Sequence, residues 1–469
     1  MFASEVDRAL EAPAEKLGDA LAGIAEGQYY ERKSGRISAK DLAVPLVALA
    51  NAEGGVVVVG LHDGEVDGVA SAKVNDLRQA AMDHTAPPVR CAMDEVAVPV
   101  DDDDRTLLVI RVEPSETMHS MTNGTVYLRV GDESRKLSLA QKQELAYDRG
   151  AASYEASPVA LDVSDLDQVQ LQNCQTALGS SSVDTMLHAR DLIDRRGRVT
   201  AAACLLFDAR PQREFPNAVV RVLRYGGTER GVGSAMTLED GADIRLEGSI
   251  PQQIQATAQA VEELMPKWRQ LTDAGLFEPL PRIPRDAWLE GIVNAVVHRS
   301  YSMMGDHIRV EIFPNRVEIT SPGRFPGIVD PTKPLEIDRY ARNPRIARVC
   351  SDLGITRELG EGIRRMFGEM RGRGLVDPVY SQTAGAVRLV LLASDALPSE
   401  VLARLSRSAR GILDVMRQVQ KPMGTGEIAD LAGVTRMTAT RALAALRDEG
   451  LVVWEGNSRK DPRATWSLA

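Results

Sequence analysis

The clearest pattern of hydrophobic and polar positions lies in residues 285–299. Glu290, Asn294 and His298 recur at every fourth position, and apolar residues fill most of the positions between them. Residues four apart share one face of an α-helix, so the pattern predicts a largely buried helix with a single polar stripe. Buried polar groups need partners, which here are protein groups, water, or a ligand with its metal ion. The nature of that partner determines what the middle of the chain does.

Residues 20–150 combine helical and strand patterns. The apolar stretch 39–50 predicts a helix, and the β-branched run 56–59 predicts a buried strand. Farther along, an acidic turn separates two apolar segments, 96–100 and 106–112, which predicts a β-hairpin.

Several motifs in this region resemble the Schlafen-type AlbA_2 domain. They are Glu26, Glu31-Arg32-Lys33, Ala48-Leu49-Ala50-Asn51-Ala52-Glu53-Gly54-Gly55 and Tyr127-Leu128-Arg129-Val130-Gly131. The resemblance implies nucleic-acid binding, with phosphate contacts from Lys33, Arg129, Ser134 and Arg135. The alternative is that Lys33 and Arg129 are solvated charges at the ends of strands.

Some Schlafen relatives are nucleases that use three carboxylates. Glu26, Glu31 and Asp63 match that set approximately. Clustered carboxylates can hold a divalent metal ion that activates water. The same residues also fit a surface ion pair and a tight turn, so metal-dependent cleavage is an alternative function.

Residues 156–395 show a second alternation of strand and helix patterns. The apolar segment 201–207 predicts a strand, and 218–225 predicts another. After the striped helix, the segments 307–313 and 316–320 alternate around a Pro-Asn turn, which predicts a hairpin with one buried face.

Two glycine-containing segments follow that hairpin, Ser321-Pro322-Gly323 and Gly360-Glu361-Gly362. The second leads into a helical pattern, and a helix N-terminus favours phosphate. Nine arginines between residues 339 and 373 outnumber four acidic residues. This excess suits either phosphate contact or a solvated helical face.

This order of elements resembles the GHKL-type ATP-binding domain, most specifically over residues 280–380. It matches the divergent branch that is fused to AlbA_2 domains in bacterial transcriptional regulators. The resemblance implies ATP and Mg²⁺ as cofactors. It assigns magnesium coordination to Asn294, the water-positioning carboxylate of an ATPase to Glu290, a phosphate contact to His298, the adenine-side loop to Ser321 and Gly323, and the phosphate lid to Gly360 and Gly362.

One departure from that family leaves the ligand open. The Asp-x-Gly-x-Gly loop, whose aspartate recognises the adenine amino group in standard members, is absent after the hairpin. The alternative is a degenerate scaffold in which protein groups satisfy the polar stripe.

Residues 400–469 show a helical segment at 406–419 and then a pair of helical segments, 425–434 and 436–449, followed by two strand segments. Their order resembles the winged helix-turn-helix of bacterial regulators, in which the second helix enters the major groove and the wing meets phosphate. A role in protein contacts is the alternative. The candidate DNA contacts are Arg436, Thr438, Thr440 and Arg441 on the helix and Arg459, Lys460 and Arg463 in the wing.

The length, charge and composition of the chain limit the classes of protein to which it can belong. A length of 469 residues suits about three domains. The net charge of −10 argues against a uniformly basic surface but leaves room for a local basic face. No apolar run approaches the roughly 18 residues of a membrane span, the first 21 residues lack the pattern of a signal or transit peptide, and four scattered cysteines lack metal-ligand spacing. We therefore expect a cytoplasmic, nucleoid-associated protein with reduced cysteines and no membrane partner.

Together these patterns predict a multidomain α+β protein. Its expected parts are an AlbA_2-like α/β domain over 1–155, a divergent GHKL-type α/β sandwich over 156–395 and a winged helix-turn-helix over 400–469. The predicted function is a DNA-binding transcriptional regulator, modulated by a nucleotide, that acts on double-stranded DNA as a homodimer or higher homo-oligomer. The alternatives are a metal-dependent nuclease or ATPase acting on nucleic acid and a non-catalytic dimerisation scaffold.

Overall fold

The computed structural model has a mixed α+β fold with separate hydrophobic cores in its N-terminal, middle and C-terminal parts. The predicted fold class is therefore confirmed. The described residues are 6, 8–100, 103–150, 153–271, 277–325, 329, 331, 333–337, 341–356, 361–383, 385–394, 397, 401, 404–419, 421–456 and 464–468. Within these ranges, no helix is both long enough and apolar enough to cross a membrane.

The N-terminal part is a sheet packed between helices. Its helices are α1 (Ala14–Ala22), α2 (Ala39–Ala50), α3 (Ser71–His84) and α4 (Leu139–Asp148). Its strands are β1 (Tyr30–Lys33), β2 (Gly55–Val59), β3 (Leu61–His62), β4 (Glu65–Val66), β5 (Thr85–Ala86), β6 (Cys91–Val100), β7 (Asp103–Val112), β8 (Ser120–Met121), β9 (Tyr127–Val130) and β10 (Glu133–Lys136).

The main sheet of this part has the strand order β1-β2-β7-β6, and its inner strands β2 and β7 are buried on both faces. Val57 and Val59 pack into the core formed with α2 and α3, whereas Val56 and Val58 pack into the core on the side of α1. Burial on both faces explains why β2 is continuously β-branched instead of alternating. Ser38 begins α2 by accepting a hydrogen bond from the backbone N–H of Asp41 at 3.1 Å.

The middle part is a larger sheet covered by helices. Its helices are α5 (Gln168–Ala177), α6 (Val183–Ala189), α7 (Ala201–Phe207), α8 (Ile250–Leu264), α9 (Arg285–Val297), α10 (Pro344–Asp352) and α11 (Gly362–Gly372). Its strands are β11 (Val220–Tyr225), β12 (Leu238–Leu246), β13 (Trp268–Leu271), β14 (Phe277–Leu280), β15 (Ile308–Phe313), β16 (Arg316–Pro322), β17 (Val379–Gln382) and β18 (Ala386–Leu392). The sheet order is β12-β11-β15-β16-β18-β17, with β11 and β15 parallel.

Helix α9 carries the polar stripe and lies close against this sheet. Trp288, Ile292 and Val296 are buried in the core, as the apolar positions of the stripe pattern predicted. The close approach depends on Gly291, since a Cβ there would lie 2.7 Å from Leu389 and 2.8 Å from Ile319. The tight packing fixes the position of the polar side chains on the remaining face of α9.

The segment Ala201–Phe207 is a helix, so the predicted strand is wrong. All seven residues are buried. A short, continuous apolar run does not distinguish a buried strand from a buried helix. Thr200 decides the outcome locally, because its hydroxyl accepts a hydrogen bond from the backbone N–H of Ala203 at 3.4 Å and so caps the helix.

The C-terminal part consists of α12 (Arg407–Val419), α13 (Thr425–Leu431), α14 (Arg436–Asp448), β19 (Val452–Glu455) and β20 (Thr465–Leu468). The two strands pair antiparallel after the helix-turn-helix, which is the predicted winged order. Ala439, Leu443 and Leu446 of α14 face the core, where Ile412 and Trp466 also lie.

Candidate functional site

A cavity of about 160 Å³ lies between α9, the end of β16 and the start of α11. Its wall contains every described residue that the sequence assigned to the nucleotide site. These residues are Glu290, Asn294, His298, Ser321, Gly323 and Gly362. Gly360 lies outside the described residues. Residues from three separate elements therefore meet around one space, as the order of motifs required.

The carboxylate of Glu290 has an ion-pair partner within the protein. Its carboxylate pairs with the guanidinium of Arg365 on α11, and the pair is largely shielded from solvent. The carboxylate also lies against Gly362, where an added Cβ would fall far inside van der Waals contact with Glu290 Oε1. A larger residue at position 362 would therefore displace the Glu290 carboxylate from this arrangement.

Asn294 and His298, by contrast, have polar side-chain atoms without a hydrogen-bond partner in the described part of the protein. Among the described residues, the Asn294 side-chain amide has no protein hydrogen-bond partner. His298 Nδ1 is buried without a partner, and the same holds for Thr356 Oγ1 and Arg365 Nε, which belong to the same cavity wall. Unpartnered buried polar atoms are rare in folded proteins, and several around one cavity can be given partners by a polar ligand or by water.

The described wall residues include three arginines, of which Arg324 and Arg365 are paired with the carboxylates of Glu53 and Glu290. Arg324, Arg364 and Arg365 line the cavity, and arginine is well suited to phosphate oxygens. Burial and the positive charge of Arg342 lower the pKa of His298 from 6.5 to about 4, so its imidazole is neutral at pH 7. An anion beside His298 would favour its protonated form.

The rest of the wall is apolar and aromatic. Ile319 and Leu389 come from the sheet, and Phe325 and Tyr380 meet edge to face with ring centroids 5.5 Å apart. A cavity with cations and apolar rings in one wall suits a ligand that has both charged and flat apolar parts.

The Ser-Pro-Gly loop holds the cavity wall in place. The hydroxyl of Ser321 donates to the carbonyl of Ala295 at 2.8 Å, which ties β16 to α9. Gly323 has a φ of +110°, and a Cβ there would lie 2.8 Å from the Cβ of Ser300 and 3.2 Å from Arg342 Nη2. The absence of a side chain at Gly323 thus allows Ser300 and Arg342 to pack closely against the backbone of this loop.

Asn294 can contribute to a magnesium site only with help from a ligand. Its amide oxygen is a hard donor of the type that Mg²⁺ prefers. In the described part of the chain, however, no group of three or more His, Cys, Asp or Glu side chains is arranged to hold a metal ion. A Mg²⁺ ion beside Asn294 would therefore need oxygen ligands from a bound molecule in addition to this amide.

A second cavity, of about 540 Å³, lies in the N-terminal part. Lys33, Glu26 and Asp63 line it, and Arg36 and Ser34 lie beside them. Lysine, arginine and hydroxyl groups in one cleft suit the phosphates of a nucleic acid.

Glu31 and Arg129 do not have the positions that their predicted roles require. Arg129 is fully buried and donates to the carbonyls of Gly27 and Tyr30 as well as to the carboxylate of Glu31. Lys33 pairs with the same carboxylate. Arg129 is thus inaccessible to a phosphate, and Glu31 is held by two cations instead of joining Glu26 and Asp63 in a metal site.

Ser134 and Arg135 lie on β10, next to Arg129 of β9. Arg135 is exposed and pairs with Glu133 at 2.8 Å. Ser134 Oγ is buried without a partner. Of these two residues, only Arg135 presents its side chain to solvent.

Helix α14 presents its predicted DNA contacts at its N-terminal end. Thr435 caps the helix by accepting from the backbone N–H of Thr438 at 3.2 Å. Arg436, Thr440 and Arg441 are exposed and Thr438 is half-buried. The wing residues Arg459, Lys460 and Arg463 lie outside the described residues.

Comparison with known families supports this organisation. Residues 26–138 match the family model "Schlafen, AlbA_2", residues 305–391 match "Putative ATP-dependent DNA helicase recG C-terminal", a HATPase-like model, and residues 399–462 match "Crp-like helix-turn-helix domain". The chain combines these three domains in the predicted order. The HATPase-like match begins after α9, so the polar stripe itself lies outside the matched residues.

The Crp-like domain supports DNA binding, and the HATPase-like domain is consistent with nucleotide binding. No curated protein matches the chain. The crystal structure of the DIP2311 protein from Corynebacterium diphtheriae is 21% identical, with 100% of this chain and 97% of that chain covered and a TM-score of 0.43.

Sequence reasoning missed the residues that join the cavity to the AlbA_2 domain. Arg324 in the cavity wall pairs with Glu53, and Arg342, which donates to the Arg324 carbonyl, pairs with Asp148. Glu53 belongs to a motif that carried the family resemblance, but no local pattern links it to an arginine 271 positions away.

Proposed function

We propose that this protein is a DNA-binding transcriptional regulator whose DNA binding is modulated by a nucleotide in the HATPase-like domain. The observation that carries the nucleotide part is the group of unpartnered polar atoms in one cavity wall: His298 Nδ1, Thr356 Oγ1 and Arg365 Nε. A ligand with phosphates would give these atoms partners, and the three arginines of the wall would offset its charge.

The exposed end of α14 supports the DNA-binding part. Its N-terminal residues face solvent with two arginines and a threonine, and this is the end of a recognition helix that enters the major groove. Cleavage of nucleic acid has less support, because Glu31 is already paired with Arg129 and Lys33.

Binding to duplex DNA tests the regulator. A randomised duplex pool should yield a selected sequence that the protein binds in a salt-dependent manner. Arg441→Ala should weaken binding to that sequence by about 1–3 kcal/mol if the side chain reads a base. The control is Arg447→Ala, because Arg447 lies near the far end of α14 beside Asp448. Equal loss in both variants, or equal affinity for selected and scrambled duplexes, would contradict the assigned role of the helix.

Titration calorimetry with ATP, with and without Mg²⁺, tests the cavity. Binding is expected in wild type and should be weakened in Asn294→Ala. Failure of wild type to bind nucleotide would leave the HATPase-like domain as a scaffold and would refute the proposed modulation.

A further inference from the structure

The AlbA_2 domain meets the HATPase-like domain at the rim of the ligand cavity. The AlbA_2 side of the contact includes the carboxylates of Glu53, Glu144 and Asp148. Glu144 accepts hydrogen bonds at 2.8 Å from the hydroxyls of Ser300 and of Ser302. The other two carboxylates pair with arginines. These contacts between the two domains are thus ion pairs, or hydrogen bonds from a neutral hydroxyl to a carboxylate.

Arg324 takes part in both the ligand cavity and the contact between the two domains. Its side chain lines the ligand cavity and also pairs with Glu53, with side-chain exposures of only 10% and 9%, respectively. Arg342 stands behind it, because its guanidinium donates to the Arg324 carbonyl and pairs with Asp148. A phosphate in the cavity and the Glu53 carboxylate would therefore compete for one guanidinium.

We propose that Arg324 transmits ligand occupancy to the AlbA_2 domain. A nucleotide in the cavity draws the Arg324 guanidinium from Glu53 to its phosphates, which weakens the hold of the HATPase-like domain on the AlbA_2 domain. This inference rests on the proposed function. A ligand shifts a protein between two domain arrangements only if it binds one of them more tightly. The exchange of partners at Arg324 would provide that difference in affinity.

A chain of hydrogen bonds continues from Glu53 into the AlbA_2 domain. Gln28 donates to Glu53 at 2.6 Å and to the carbonyl of Arg129 at 3.1 Å, and it accepts from the backbone N–H of Gly131 at 2.8 Å. Arg129 holds the Glu31 carboxylate, which also pairs with Lys33.

The chain ends at Lys33 in the basic cleft of the AlbA_2 domain. Once Arg324 leaves, Glu53 keeps only the neutral amides of Gln28 and Gln382 among its described side-chain partners. The change therefore reaches Gln28, which holds the backbone of Arg129 and Gly131 at the end of β9.

Two variants and a matched control separate this role from simple support of the fold. Glu53→Gln removes the competitor, so ATP should bind at least about fivefold more tightly, which is the lower end of typical coupling between sites. Arg324→Gln should weaken ATP binding. Glu144→Gln alters the same domain contact without touching a cavity arginine, so its ATP affinity should equal that of wild type.

Hydrogen exchange supplies a readout of the domain contact itself. Saturating ATP should speed amide exchange at residues 28–33 and at Gly131 in wild type, but not in Arg324→Gln. Unchanged ATP affinity in Glu53→Gln would overturn the proposal. If Glu53→Gln does not fold, wild type alone decides, because unchanged exchange on adding ATP would also overturn it.

Failure of the proposed function has a different signature. If wild type itself binds no ATP, both the nucleotide site and its transmission through Arg324 are refuted. If wild type binds ATP while Glu53→Gln and the exchange pattern show no effect, only the transmission is refuted.

Discussion

The carboxylate of Glu290 lies directly against the α-carbon of Gly362, where α9 meets the start of α11. Arg365, one turn into α11, pairs with the same carboxylate. The polar stripe of α9 is therefore divided. All three side chains line the cavity, but Glu290 pairs with Arg365 of α11, whereas His298 Nδ1 has no protein partner among the described residues.

Gly362→Ala should disturb this junction. The added methyl group displaces the Glu290 carboxylate and thereby disturbs its ion pair with Arg365. Thermal unfolding and ATP titration measure the result, and both stability and affinity should fall.

Gly368→Ala is the matched control for that change. Gly368 lies in the same helix with no atom near its added Cβ, so alanine should raise stability by about 0.5–1 kcal/mol through helix propensity. Equal effects of the two substitutions would contradict the close contact at Gly362.

Asn294→Ala should reduce ATP affinity about tenfold or more while leaving the melting temperature unchanged or slightly higher. The Asn294 amide has no protein partner among the described residues, and alanine is the better helix former. Asn343→Ala serves as the contrast, because its amide donates to the carbonyls of Val297 and Arg299 at 2.8 and 2.9 Å. Loss of that buried donor should cost about 1–3 kcal/mol of stability. Marked destabilisation by Asn294→Ala would indicate a structural role instead.

The pKa of His298 predicts a pH dependence of stability. Burial and Arg342 lower this pKa from 6.5 to about 4 in the folded protein. As the pH falls from 6.5 towards 4, the unfolded chain takes up the proton first, so the free energy of unfolding decreases over that window and the effect levels off below it. Above pH 6.5 His298 contributes no pH dependence.

Urea unfolding at several pH values compares wild type with His298→Gln. The variant should lack part of the decrease that wild type shows between pH 6.5 and 4. ATP should also lessen the decrease in wild type, because phosphates beside His298 raise its pKa. Superimposable pH profiles of the two proteins would contradict the burial of a neutral imidazole.

The sequence predicted the stripe well and predicted the partners of charged residues poorly, for a physical reason. A four-residue period places Glu290, Asn294 and His298 on one helix face whatever surrounds the helix. The burial of Arg129 depends on Glu31, 98 positions away, and no local pattern encodes that pairing. A basic residue at a strand end has the same sequence signature whether it faces a nucleic acid or a buried carboxylate.

The secondary structure of Ala201–Phe207 was predicted wrongly for a different reason. Its residues are apolar without interruption, so neither the two-residue nor the 3.6-residue period is visible. The contact of Glu53 with Arg324 joins two domains and likewise lies beyond any local pattern.

Arg129→Met should destabilise the AlbA_2 domain. Removing one partner of a buried ion pair typically costs about 3–5 kcal/mol, because the Glu31 carboxylate remains buried beside a smaller set of donors. Arg135→Ala, on the exposed neighbouring strand, should leave stability nearly unchanged and weaken nucleic-acid binding instead. Chemical denaturation and DNA titration distinguish the two effects. Wild-type stability of Arg129→Met would refute a structural role for the buried pair.

The most direct test of nucleotide modulation is the affinity for a selected DNA duplex, measured at fixed salt with and without ATP and Mg²⁺. Wild type should show a nucleotide-dependent change of about fivefold or more, and Asn294→Ala should show a much smaller change at an ATP concentration that saturates only wild type. DNA affinity of wild type that is identical with and without ATP, under conditions where calorimetry shows the nucleotide bound, would contradict the account.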